Sequence, residues 1–150
     1  MMKLNKINIP PNYLFASLLL SAVSWYFVPC LNIVNDSYNY YGWVLIILGM
    51  PLTGWVWKYF QEHDTPVDFA ESRILVTNGP FRFSRNPMYV GMFLIALGTA
   101  ICFKNLIGIV GSLLFILVIN FMSIPFEEKK NERTFGQEFL EYKKKVRRWL

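Results

Sequence analysis

Four stretches of about twenty residues carry no Asp, Glu, Lys or Arg in their interiors, and that spacing restricts the fold before any motif is considered. They cover about residues 13–34, 41–60, 87–103 and 106–126. About twenty apolar residues suffice for a helix to cross roughly 30 Å of hydrocarbon. Hydrocarbon offers the backbone no hydrogen-bond partners, so each block must satisfy its own amides and carbonyls as a helix. A secretory signal is the competing reading of the first block, with Lys3 and Lys6 as its basic flank. Its apolar run is too long for that, and no small-x-small cleavage site follows it. The expectation is therefore an all-α, polytopic membrane protein. Residues 1–150 form one membrane-embedded domain of about four transmembrane helices, followed by a charged cytoplasmic tail, 127–150.

Charge sets the orientation. Four crossings place both termini and the central loop, residues 61–87, on one side. That side holds 14 of the 15 Lys and Arg residues, Lys104 being the exception. The positive-inside bias then assigns both termini and the central loop to the cytoplasm. The formal net charge of +5 reads as attraction to membrane lipids. It does not read as nucleic-acid binding, because no soluble basic domain is present.

The spans carry their own packing cues. Gly91, Gly98, Gly108, Gly111 and Ser112 are small residues where helices can approach closely, which favours packing within a bundle over a dedicated dimer face. Pro51, between Gly49 and Gly54, predicts a kink in the second span. Only Lys104 and Asn105 separate the third and fourth spans, so these form a tight antiparallel hairpin. Cys30 and Cys102 make no CxxC or Cys/His cluster, and structural zinc is not expected. In the tail, Phe135, Phe139, Tyr142, Val146 and Trp149 recur at helical spacing, with basic residues filling the rest. The pattern predicts an amphipathic helix, bent near Gly136, that lies on the membrane surface or caps the bundle.

Two cytoplasmic segments carry the chemistry. In Gly79–Gly91, Asn86 followed by Pro87 is an N-cap and first helical residue, so the third helix starts there. Its positive end, with Arg82 and Arg85 alongside, suits a carboxylate or phosphate; contact with lipid head groups is the plainer use of the same arginines. In Phe126–Gly136, Glu127 and Glu128 stand where an apolar bundle meets water, and adjacent carboxylates there need a cation or a donor. His63 is the only histidine, so a multi-histidine metal site is not expected, and no Ser-His-Asp, P-loop or GxGxxG pattern occurs.

Taken together, these segments resemble the membrane-embedded isoprenylcysteine carboxyl methyltransferases and phospholipid methyltransferases. The resemblance runs from about Pro66 to Leu150. It rests on Leu75–Gly91 (LVTNGPFRFSRNPMYVG), Glu127-Glu128, Phe135-Gly136, Tyr142 and the terminal Val146–Trp149. It implies S-adenosylmethionine as cofactor and methyl transfer to a lipophilic acceptor, either a prenylcysteine carboxylate or a lipid headgroup. Carried over by position, Arg85, Asn86, Tyr89, Gly91, Glu127 and Glu128 are expected to bind the cofactor. Glu128 and Arg133 are expected to be catalytic, Arg133 by orienting the acceptor. Many members have His where this chain has Asn86 and Leu where it has Asn131, so no histidine-dependent step is inherited. The alternatives are an NADPH-dependent intramembrane reductase, whose relatives share a similar C-terminal half, and a non-catalytic membrane scaffold. Transport is disfavoured because no span carries an acid or base in its interior.

Overall fold

The computed structural model describes residues 10–32, 36–62 and 74–150. Lys3, Lys6, the end of the expected first span at 33–34, His63 and Arg73 lie outside these. Among the described residues there is no strand, and the helices are α1 (Pro10–Phe27), α2 (Asn39–Glu62), α3 (Pro87–Cys102), α4 (Leu106–Val118), α5 (Ile124–Phe135) and α6 (Gln137–Lys145). A π-helical turn, Ile119–Ser123, joins α4 to α5 into one continuous rod.

The chain is an all-α membrane protein. Two helices, Asn39–Glu62 and the rod Leu106–Phe135, are long and apolar enough to cross a bilayer, and α3 is a shorter apolar helix. Large apolar side chains stand exposed on α1, α2 and α4, including Phe15, Leu19, Trp43, Ile47, Met50 and Leu114. Such a surface is tolerable in lipid and not in water. The first expected span is shorter than the sequence suggested. Helix α1 stops at Phe27, and Pro29, which cannot donate to a continuing helix, opens a 3-10 turn instead. Helix α2 continues through Pro51, with the Thr53 hydroxyl donating to Gly49 O at 2.9 Å.

Helix α3 is central, touching α1, α2 and α4. Its contact with α2 is antiparallel and built on glycines seven residues apart on each helix: Gly42 faces Gly98, and Gly49 faces Gly91. A Cβ on Gly98 would sit 2.6 Å from Gly42 O, and one on Gly49 2.7 Å from Gly91 O. The backbones are therefore closer than any side chain permits, as small-residue seams in membranes allow. On the other flank, Gly108 and Gly111 of α4 meet Ser21, Ser17 and Leu20 of α1. The small residues thus serve packing within the bundle.

At the hairpin end, Lys104 takes φ +57 and Asn105 caps α4 by accepting from Ile107 N at 2.9 Å. The Asn105 amide also donates to Ser24 O at 3.2 Å and to Asn32 Oδ1 at 2.8 Å, tying the frayed end of α1 to the hairpin. Both cysteines are free.

The opposite end is closed by the tail. The π turn precedes Pro125, which has no N–H, and Ile124 N donates five residues back, to Ile119 O. The extra residue sets the inward face of the rod to Phe115, Ile119, Ile124 and Glu128. At Gly136, φ +52 breaks the helix, a conformation that glycine adopts without a Cβ clash. Helix α6 then folds back, burying Phe139 and Tyr142 against Val56 and Phe81. The tail therefore caps the bundle, one of the two arrangements expected. It does not stay helical to Trp149: Val146 is extended at φ −118, ψ 132, and the last residues run as a strap.

Candidate functional site

Both chemistry-bearing segments meet at this capped end. Gly79, at φ +59 against the Tyr59 ring, starts a 3-10 turn through Arg82 that buries Phe81. The Tyr142 hydroxyl donates to Phe81 O at 2.7 Å and so fixes the turn to α6. Burial pushes the Tyr142 phenol up to about 12 against the lowering charge of Arg85, so it stays a neutral donor.

Helix α3 begins at Asn86-Pro87 as the sequence predicts, with Asn86 O accepting from Tyr89 N and Val90 N. The Asn86 side chain, however, does not cap it. Its amide donates to Arg148 O at 2.9 Å. Ser84 is buried beside it, receiving Asn86 N at 3.1 Å and donating to Arg148 O at 3.3 Å. Arg85 N donates to Arg147 O at 2.9 Å. Three consecutive residues before α3 thus hold the backbone of the C-terminal strap.

Glu128 is the electrostatic centre. Its carboxylate lies 3.2 Å from Arg85 Nη1 and receives Arg148 through Nε at 3.2 Å and Nη2 at 3.0 Å. Lys143 Nζ approaches to 3.4 Å while bonding Glu132 at 2.7 Å. The hydrogen bond to Glu132 raises the Lys143 ammonium above its ordinary range; burial opposes this and Glu128 adds to it. One carboxylate therefore faces three cations. Arg85, whose side chain is only 10% exposed, keeps Nε and Nη1 buried without a hydrogen-bond partner. A buried guanidinium with unused donors is costly unless something accepts from them.

Glu127 lies apart from this knot, its carboxylate accepting from the Tyr89 hydroxyl. The expected residues therefore separate. Arg85 and Glu128 form one pair, Tyr89 and Glu127 a second, and Asn86 binds the strap. Gly91 packs against Gly49 and Thr53 of α2, where any Cβ would collide. That position is needed for helix contact. Arg82 and Arg133 are exposed and make none of these bonds.

Sequence reasoning missed Ser84, Asn120, Lys143 and Arg148. Asn120 accepts from Trp149 Nε1 at 3.2 Å and Arg148 Nη1 at 3.5 Å. As the one strongly polar side chain deep in a span, it was the available signal. Arg148 lay within the terminal Val146–Trp149 motif but was read only as one of the basic residues filling out the amphipathic helix.

Known proteins resemble parts of this chain. An uncharacterised protein of Haemophilus influenzae is 44% identical over 63 residues, 42% of this chain and all of that protein. The protein-S-isoprenylcysteine O-methyltransferase of Xenopus laevis is 38% identical over 85 residues, 57% of this chain and 30% of that enzyme. The Saccharomyces cerevisiae enzyme of the same name is 40% identical over 88 residues, 57% of this chain and 36% of that enzyme. The chain thus spans about a third of the length of these two enzymes. No solved structure matches it. The phospholipid methyltransferase family model covers residues 38–138, from the start of α2 through the glutamate pair into α6, and the chain belongs to that family.

Proposed function

We propose that this protein transfers a methyl group from S-adenosylmethionine to a lipophilic acceptor, a prenylcysteine carboxylate or a lipid headgroup, at the cytoplasmic face of the membrane. The observation that carries the reading is Arg85, a buried guanidinium at the positive end of α3 whose Nη1 faces Glu128 and whose Nε meets no acceptor among the described residues, in a chain of a methyltransferase family. That free donor and the positive charge fit the cofactor's carboxylate. Glu127, held by one neutral phenol, fits its ammonium better than Glu128, whose charge three cations already meet. In this reading Glu128 orients Arg85 and does not touch the reacting atoms.

The cofactor, when bound, supplies an electrophilic methyl on a sulfonium. The chain's part is to hold the acceptor in line and exclude water; a carboxylate acceptor then needs no acid–base group, whereas an amine headgroup first gives up a proton to water. Exposed Arg133 is a cation available to attract an anionic acceptor. The one-sided basic charge supports four crossings with both termini cytoplasmic. Apolar faces open to lipid would admit the acceptor sideways, while the cofactor enters from water.

The test is binding and turnover in nanodiscs. S-adenosylhomocysteine should raise the melting temperature and NADPH should not. Labelled methyl should move to N-acetyl-S-farnesylcysteine or to phosphatidylethanolamine, and the one labelled identifies the acceptor class. No binding of S-adenosylhomocysteine by the wild type would refute the reading.

A further inference from the structure

The strap Val146–Leu150 is anchored through every kind of contact available to it. Its backbone receives Arg85 N, Asn86 Nδ2 and Ser84 Oγ. Its side chains reach the rod, Arg148 to Glu128 and Asn120, and Trp149 to Asn120. Arg148 alone therefore links the residues before α3, the π turn and α5. Those are the two halves of the site, which otherwise meet through the Arg85–Glu128 and Tyr89–Glu127 contacts.

We infer that Arg148 is a positioning residue and that the strap is a clasp that locks Arg85 and Glu128 into binding geometry. The inference rests on the cofactor reading above and adds a linkage. If the docked strap favours cofactor binding, bound cofactor must favour the docked strap by the same factor. Losing the charge-assisted bonds of Arg148 to a buried carboxylate corresponds to about a tenfold change or more in that equilibrium.

The clasp is read by trypsin. The carbonyl of Arg147 is engaged by Arg85 N, so the strap must undock before cleavage after Arg147. Release of the terminal peptide is followed by mass spectrometry on the full chain in nanodiscs, with and without S-adenosylhomocysteine. Arg148→Gln should speed release about tenfold or more and weaken S-adenosylhomocysteine by a similar factor, with Arg148→Lys recovering part of both. Asn120→Leu, which leaves strap and glutamates intact, should speed release more modestly and serves if Arg148→Gln does not fold. S-adenosylhomocysteine should slow release in the wild type. Unchanged release in both variants, or faster release with unchanged affinity, overturns the inference. A wild type that does not bind S-adenosylhomocysteine overturns the methyl-transfer reading instead, and the cleavage rates still decide whether Arg148 holds the strap.

Discussion

Replacing Glu128 by Gln leaves volume and shape nearly unchanged but removes the one carboxylate that faces Arg85 among the described residues. The cost divides by exposure. The Arg85 and Glu128 side chains are each 10% exposed, whereas Arg148 and Lys143 are 34% and 35% exposed. The one-third-exposed Lys143 pair contributes at most about 1 kcal/mol, and the bidentate Arg148 pair about 1.5 kcal/mol. Stranding the buried guanidinium dominates, and removing one partner of a buried pair costs roughly 3–5 kcal/mol. For a chain of this size that corresponds to a fall of roughly 6–20 °C in melting temperature. Glu132→Gln breaks only the Lys143 pair, 35% and 37% exposed, and should cost under about 1 kcal/mol. The assay is thermal unfolding in one detergent, followed by tryptophan fluorescence, with Arg85→Gln and the Arg85→Gln/Glu128→Gln double variant completing a cycle. The double variant should recover much of the loss, because the stranded charge is gone. If Glu128→Gln melts within a degree or two of Glu132→Gln, the Arg85–Glu128 pair is not the buried centre described.

Gly98→Ala should lower stability by about 1–3 kcal/mol, because its Cβ would meet the Gly42 carbonyl at 2.6 Å and only a backbone shift relieves that. Gly54→Ala on α2, with nothing within 4 Å, should instead stabilise by up to about 1 kcal/mol, and melting curves of the two distinguish a seam from general helix preference. Tyr142 ionises near 12 when folded against an ordinary 10.0, so the neutral phenol stabilises the fold below pH 10 and that contribution is lost as pH rises through 12. Tyr142→Phe should cost about 0.5–1.5 kcal/mol at neutral pH by removing the bond to Phe81 O, and its stability should fall less than the wild type's between pH 10 and 12.

The sequence and the structure agree where one local rule decides. Pro87 after Asn86 starts α3, Gly136 breaks the tail, and glycines mark close helix contact, each because a single residue type restricts its own backbone. Disagreement begins where partners are distant in sequence. Asn86 has the composition of a cap, but Arg148 O, 62 positions away, takes its amide. Glu127 and Glu128 look alike in sequence, and only their placement on the rod gives one a phenol and the other three cations. The strap was read as helix because its aromatic spacing continues that of α6. Spacing alone could not show that its carbonyls would be claimed by the residues before α3.

The π turn at Ile119–Ser123 bears on how insertions and deletions are read in this chain. Losing one residue between Ile119 and Ile124 would convert the turn to regular α-helix and leave Ile124 and Glu128 facing inward. Straightening the same turn in the intact chain would instead advance the face by one position and present Glu127 to Arg85. A one-codon gap here would therefore be nearly silent for the site, while a change that straightened the turn at full length would exchange the places of the two glutamates.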